Sequence, residues 1–472
     1  MRKAVPAAAA PAAATATPTA EQAPAAAPDT PAETGGELLR ILGVGFGLAV
    51  VVGGVVGQGI MRTPGIVAGA LPSGAAIMGF WVLGAAIILL DACATVELGT
   101  SIPSAGGPYV FARRAFGPFA GTMMGWADWL NLIIGVSYVS VVFGEYAQRL
   151  GLGGSLPTGA LAIALLACIF AVNWVGTRVC GASQMIGTAL KGLGLAILVG
   201  LLLLAPGHAS GPAAASSPVF TVTAFAVAMR AIAITYAGWN TSVYFCEEIH
   251  APERNIVRAT FGGIVLVALL YLAVNAALLH VLTRDQIAAS KLPVADAAAA
   301  ALGPASGTVI TVLAIVSVVA ISNLFMMYAS RVAFAMARNR VLPAALATVS
   351  PSGSPRMALA CTAGAAAVLA SSGGYERLIA IGAPFIFGVV AMVDLAAIRV
   401  RLAEPNLPRP FKMPLFPLPA LIGLTVNLTL MAAVIYEDPL HSMIGLAVLV
   451  AIGVAAKLRA PRVLISAPAA SS

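Results

Sequence analysis

Two short stretches set glycine and polar groups inside otherwise apolar sequence. One is Gly57-Gln58-Gly59, within the run Val51–Gly65; the other is Tyr236-Ala237-Gly238-Trp239-Asn240, within Ala233–Ser242. Glycine permits dihedrals that stop a helix, and an interrupted helix leaves amide N–H groups and carbonyls unpartnered at the break. N–H groups at a helix start, with the positive end of its dipole, suit a carboxylate. Unwound carbonyls at a break accept bonds from an ammonium group. A carboxylate receptor facing an amine receptor implies a zwitterionic α-amino acid. Pro64 fits the first turns of the short helix after the first break. Taken alone, Gly-x-Gly also suits close packing of helices through small residues. The second stretch, in a similar place in the other half of the chain, favours a transporter's substrate site.

Other residues invite a chemical reading. Lys191 stands in the middle of an apolar segment, in Thr188-Ala189-Leu190-Lys191. A lone lysine in hydrocarbon is costly, so it should face a cavity or a partner. Arg62 and Arg230 flank the two breaks on their outer sides. They either snorkel or pair with a carboxylate such as Glu145, or they raise the local positive potential and disfavour cationic substrates. Asp91, Asp128 and Asp394 also fall within apolar segments and read as inter-helix partners. His208, His250, His280 and His441 are scattered without ligand spacing, so no metal or other cofactor is expected. The sequons at Asn240 and Asn427 are expected at membrane depth and carry no sugar.

These residues sit on elements built for lipid. The chain has 472 residues, 60% of them hydrophobic and 9% charged, with mean hydropathy +0.96; a soluble domain is about 25% charged. The predicted spans are 38–70, 74–96, 119–149, 159–176, 182–205, 220–248, 256–283, 306–336, 357–372, 376–398, 414–436 and 440–457. That is about twelve helices of a length that crosses a bilayer. The net charge of +8 does not point to nucleic acid, because Lys and Arg concentrate in the loops on one side. Of 26 such residues, nineteen fall on the inner side when the N-terminus is inside. Only Arg149, Arg284, Lys291 and Arg377 fall outside. Both termini are therefore expected in the cytoplasm of a multi-pass protein of the plasma or inner membrane. The Pro/Ala-rich stretch 1–36 lacks an apolar signal core and reads as a disordered cytosolic tail. The five cysteines show no CxxC spacing and read as small buried apolar residues.

The breaks in the first and sixth spans divide the chain into two inverted five-helix repeats, 37–205 and 206–398, followed by two accessory helices over 399–459 and a tail over 460–472. An odd number of helices makes the second copy enter from the opposite side.

Several motifs strengthen this reading. GQGIMRTPG (57–65) resembles the GSGIF-x-x-P signature of the amino acid–polyamine–organocation superfamily. ELGTSIPSAGGPY (97–109), YAGWN (236–240), EEIHAPERN (247–255), SRVAFAMARNRVLP (330–343) and RPFKMP (409–414) are similar to further stretches of that superfamily in the same order. The likeness is nearest to its L-type branch and covers roughly residues 40–430. It implies an all-α integral membrane protein with the leucine-transporter fold and discontinuous first and sixth helices.

By position, the resemblance implies that the backbone of Gly57, Gln58 and Gly59, running on to Ile60, holds a carboxylate. Carbonyls near Val55, Ile234 and Ala237, beside Tyr236 and Gly238, would hold the amine. Ile234 stands where the family often has an aromatic lid, and Met61 where it usually has Phe; both departures imply a less aromatic gate. Lys191 matches a lysine beside the first break, where a sodium ion sits in sodium-coupled relatives. The resemblance therefore implies sodium-independent transport, driven by protons or by exchange, with Lys191 as proton carrier or fixed brace.

Rival functions fit less well. A membrane enzyme needs a Ser/His or paired-Asp constellation with catalytic spacing, which the spans do not offer. A polyamine or organocation carrier of the same fold would need acidic lining at the site. A non-transporting amino-acid sensor stays open as an alternative.

Overall fold

The computed structural model describes residues 37–57, 59–207, 221–303, 305–372 and 374–459. The tails 1–36 and 460–472, and with them the expected disordered extension, lie outside these residues, as do Gln58 and His208. The first half holds α1 (Val44–Val55), α2 (Gly59–Ala70), α3 (Gly74–Ser101), α4 (Pro108–Phe116), α5 (Pro118–Arg149), α6 (Thr158–Val175) and α7 (Thr177–Leu204). Next come α8 (Val222–Tyr236), a 3-10 helix (Trp239–Phe245), α9 (Pro252–Val281), α10 (Arg284–Ala289), α11 (Pro293–Leu302) and α12 (Ser306–Arg338). The chain closes with a 3-10 turn (Ala344–Ala347), α13 (Arg356–Ser372), α14 (Tyr375–Ala403), α15 (Leu418–Glu437) and α16 (Pro439–Arg459). Among the described residues the extended structure is a single parallel bridge between Leu42 and Ile249.

Nine of these helices, and α8 taken together with the 3-10 helix after it, are long and apolar enough to cross a bilayer, and α1 with α2 makes an eleventh span, bent by 48°. The expected count of about twelve would include α13, which is apolar but shorter than the rest. With no water in the hydrocarbon, each backbone must satisfy itself, and continuous helix is the way most of these segments do so.

The apolar interior has two main parts. One is built on α5 and α12, with α4, α6, α13 and α14 around them. The other joins α2, α8 and α9 with α1 and the first half of α3. The broken helices reach both parts: Phe46 and Val50 of α1 and Val243–Phe245 of the 3-10 helix lie in the first, and α2 and α8 in the second.

The surface of α7 carries exposed Ile186, Leu190, Leu193 and Ile197, an apolar face suited to lipid. Two expectations need correction. Cys168 and Cys361 are exposed on α6 and α13, unlike buried Cys93, Cys180 and Cys246; at membrane depth an apolar residue faces lipid as readily as protein. Arg331, one of the nineteen basic residues assigned to the inner loops and tails, lies inside α12 and is 1% exposed, because Glu248 neutralises it there.

Candidate functional site at the two helix breaks

At the first break, α1 ends at Val55, and the Val56 N–H closes back on Val52 O at 2.9 Å. A helix that ends here leaves its last carbonyls without intrahelical donors. Lys191 supplies them: its Nζ donates to Gly53 O at 2.5 Å and to Val56 O at 2.6 Å. The negative end of the helix dipole adds to the attraction. Lys191 is 1% exposed, so its Nζ is met by backbone rather than by water. One turn earlier, Thr188 Oγ1 donates to Ala49 O at 3.0 Å. From α12, Ser317 Oγ reaches Val56 O at 3.4 Å. The end of α1 is therefore held from two sides.

At the second break, α8 ends at Tyr236. Ala237 is extended, its N–H donating to Ile234 O at 3.2 Å, and Gly238 adopts φ +101°. Only glycine takes that conformation without strain. The chain resumes as a 3-10 helix rather than an α-helix. There Thr241 Oγ1 donates to Val50 O at 2.9 Å, and Ser242 Oγ shares a hydrogen bond with Thr260 Oγ1 at 2.7 Å. Hydroxyls that bond elsewhere compete with regular helix.

The breaks meet backbone to backbone. A Cβ built on Gly238 would lie 2.6 Å from Gly54 O, and one on Gly54 would lie 2.7 Å from Gly238 O. Tyr271 of α9 binds both sides at once, its hydroxyl lying 2.9 Å from Val55 O and 3.3 Å from Thr235 O. Thr63 of α2 and Thr235 of α8 share a hydrogen bond of 2.6 Å. The first-turn amides of α2, on Gly59, Ile60 and Met61, are those for which an α-helix has no partner of its own.

Of the residues read from sequence, Val55, Gly57, Ile60 and Tyr236 are buried at this junction, with Gly59, Ala237 and Gly238 partly so. Ile234, the place of the lid, is 46% exposed, while Met61 packs against the second core. The carbonyls of Val55 and Ile234 each already accept one bond, which leaves each a second lone pair. The Tyr236 hydroxyl and Trp81 Nε1 are buried without a hydrogen-bond partner among the described residues. The rings of Tyr236, Tyr271 and Trp81 pack together, centroids 5.2–5.8 Å apart. Sequence reasoning missed Tyr271, Thr235 and Trp81. A tyrosine inside an apolar span was the available signal, since a hydroxyl in hydrocarbon must find a partner.

The remaining polar residues fall into pairs. Arg230 pairs with Glu437 at the end of α15, not with Glu145. Among the described residues Arg62 makes no salt bridge. Tyr244 donates to Asp128 at 2.9 Å, and Asn427 donates to Asp91 at 3.2 Å. Among the described residues no group of three His, Cys, Asp or Glu could hold a metal ion.

At the end of the bundle that bears the basic loops, motif residues find one another. Arg331 binds Glu248 through two nitrogens at 3.0 and 2.9 Å. Arg338 binds Glu247 at 2.9 and 3.1 Å. Glu97 accepts from Arg401, Arg409 and the Met413 amide at 2.9, 3.1 and 2.7 Å. Leu42 N donates to Glu248 O at 2.9 Å, and His250 N donates to Leu42 O at 2.8 Å. These contacts fasten the segment after the second break to α12 and to the strand-like lead into α1.

Comparison with known proteins agrees with this architecture. The amino acid permease family model matches residues 47–456. The serine/threonine exchanger SteT of Bacillus subtilis is 27% identical over 88% of this chain and 94% of its own. The human Asc-type amino acid transporter 1 is 27% identical over 80% of this chain and 74% of its own. The mouse b(0,+)-type amino acid transporter 1 is 28% identical, covering 85% and 84%. With the family model matching most of its length and its helices suited to repeated membrane crossing, this chain belongs to the amino acid permease family.

Proposed function

We propose that the chain is a sodium-independent carrier of zwitterionic amino acids, working by alternating access as an exchanger or together with a proton. The observation that carries this is the Lys191 ammonium, bonded to the Gly53 and Val56 carbonyls. Carbonyl oxygens at a break are what a sodium ion would need, and two cations would not share them. Held on both, Lys191 is a fixed brace between α7 and α1.

The substrate would lie across the two breaks. Its carboxylate would meet the amides of Gly57, Gln58, Gly59 and Ile60; its ammonium would meet the free lone pairs of Val55, Ile234 and Ala237. Polyamine carriage would call for carboxylates here. Among the described residues the groups bonded at the breaks are hydroxyls, amides, carbonyls and Lys191, which favours the amino acid. Serine and threonine, named for the SteT exchanger, are the first candidates. The two inverted repeats, twelve spans, cytoplasmic termini and plasma or inner membrane location belong to the same proposal.

Uptake of labelled amino acids into proteoliposomes tests the proposal, with and without sodium and with and without internal amino acid. Uptake stimulated by internal amino acid or by a proton gradient, and indifferent to sodium, is the expected result. Stimulation by sodium overturns the coupling; binding without movement across the vesicle membrane points to a sensor instead.

A further inference from the structure

A second polar cluster lies away from the breaks. Asp91 on α3 and Asp394 on α14 are 3% and 0% exposed, and their carboxyl groups converge on the same space beside Gly423 of α15. From α15, Asn427 Nδ2 donates to Asp91 Oδ2 at 3.2 Å and to Gly423 O at 2.8 Å. Asp91 Oδ1 and both oxygens of Asp394 then have no donor among the described residues. Gly423 makes the space: a Cβ there would collide with Asp91 Oδ1 and lie 3.0 Å from Asp394 Oδ2.

Two carboxylates this close, with one amide donor between them, are not a stable arrangement. At about 4 Å their repulsion is about 4 kcal/mol even at an effective dielectric of about 20. Buried charge without hydrogen bonds adds a further cost. A single proton removes both problems, turning the repulsion into an O–H···O⁻ bond, as in other carboxyl pairs that share one proton.

The neighbours do not supply a positive charge instead. Cys93 is within electrostatic reach of Asp91. Glu97, further along α3, is bound by Arg401 of α14 and by Arg409. Ionisable groups on other packed helices are engaged elsewhere: Arg230 of α8 with Glu437, Asp128 of α5 with Tyr244, Arg114 of α4 with Glu404 and Tyr271 of α9 with Val55 O. His441 of α16 is paired with Asp438.

We propose that Asp91 and Asp394 form a proton-binding dyad. It takes one proton from solution when α3 and α14 pack as they do here, and returns it when they separate. The dyad passes from two carboxylates to one carboxylic acid donating to one carboxylate, and the proton is the only species exchanged. Its position ties it to the broken helices. Two turns before Asp91, Gly84 packs directly on Ile232 of α8, so α3 follows that helix, whereas Asp394 rides on α14, which packs chiefly on α5 and α15. Rocking of one bundle against the other is how this kind of carrier exposes its site alternately. The same movement would part the two carboxyl groups. This rests on the transport reading and names the ion that would accompany the amino acid.

The test uses the full chain and its Asp394→Asn and Asp91→Asn variants, which keep side-chain shape. In proteoliposomes, L-serine, L-threonine and L-leucine are offered first as exchange at equal pH, then as uptake under an inward proton gradient, with a trapped dye reporting proton entry. In the wild type the gradient should raise uptake and carry protons inward. Either variant should keep exchange but lose the stimulation and the proton entry. A variant that keeps both, or a wild type that exchanges amino acid without proton entry, overturns the dyad. Infrared difference spectra of the purified protein decide independently of transport. A protonated-carboxyl C=O band present at neutral pH and lost in Asp394→Asn supports the dyad; its absence from the wild type overturns it. If no amino acid moves at all, the transport reading falls while the infrared result still stands for or against the dyad.

Discussion

Lys191 Nζ lies 2.6 Å from the carbonyl oxygen of Val56, the residue that caps the first half-helix. A cation there does what a capping donor does, and a second bond to Gly53 O fixes its position. Hydrogen bonds to a charged group are each worth about 1.5–3 kcal/mol. Lys191→Ala should therefore loosen the first break and lower uptake about tenfold or more, since each 1.4 kcal/mol is about a factor of ten. Initial rates in proteoliposomes measure this. Wild-type rates with unchanged pH dependence would reduce Lys191 to a snorkelling lysine.

Gly59 faces Thr235 across the junction. A Cβ at position 59 would sit 3.0 Å from Thr235 Cγ2 and 3.2 Å from its Cα, so Gly59→Val pushes against α8 as well as into the space before the first amides of α2. Overpacking of this kind costs about 1–3 kcal/mol. The variant should fold, with a lowered melting temperature, and bind no amino acid in equilibrium titration. Wild-type affinity would put the substrate elsewhere.

The contact between Gly54 and Gly238 gives a sharper steric test. Gly238 has φ +101° and its Cβ would lie 2.6 Å from Gly54 O. Gly238→Ala adds about 1–2 kcal/mol of left-handed backbone strain to a clash that only separation of the breaks relieves. Thermal unfolding in detergent should show a clear loss of stability, together with loss of transport. Gly192, on α7, has open space around it. Gly192→Ala should be neutral or stabilise by about 0.5–1 kcal/mol. Equal effects from the two changes would remove the argument for the contact.

Much of the fold was legible because lipid simplifies the reading. Long apolar runs give helices, and glycine inside such a run marks Gly57–Gly59 and Gly238 as places where helix can stop. Lys191 was legible for the same reason, as a charge where none is affordable without partners. Pairing was not. Glu97 and Arg409 lie 312 residues apart, and no local pattern says that they touch. Arg230 finds Glu437 rather than Glu145 because the end of α15 comes to α8, a matter of tertiary arrangement. The 3-10 form of Trp239–Phe245 was hidden too, since it depends on Thr241 and Ser242 reaching Val50 and Thr260.

The pair of Arg331 and Glu248 separates fastening from folding. Both are essentially without exposure, at 2% and 0% of their side chains. Removing one partner leaves the other charge buried, at a cost of about 3–5 kcal/mol. Glu248→Ala should therefore fold poorly, visible as low yield of monodisperse protein. Arg331→Met with Glu248→Leu removes both charges and should recover folding. If the double variant folds but does not transport, the pair serves the conformational cycle; if the single variant is already as stable as wild type, the pair carries little.

Nearer the surface, the Arg114 and Glu404 pair makes a prediction about pH. Arg114 donates to both Glu404 oxygens, at 2.9 and 2.7 Å. That bonding, with charge from Arg114 and Arg409, holds the Glu404 carboxyl below its ordinary range. A depressed carboxyl contributes its stability in full above the unfolded value and loses it as pH falls through the folded one. The side chains are 45% and 30% exposed, so solvent screening limits the contribution to about 0.2–1 kcal/mol. Melting temperatures of wild type and Glu404→Gln should differ slightly at neutral pH. They should converge below about pH 4, the range in which an unperturbed glutamate protonates. High salt at neutral pH should narrow the same gap. A difference that persists unchanged into acid would assign the stabilisation to something other than the ionised Glu404.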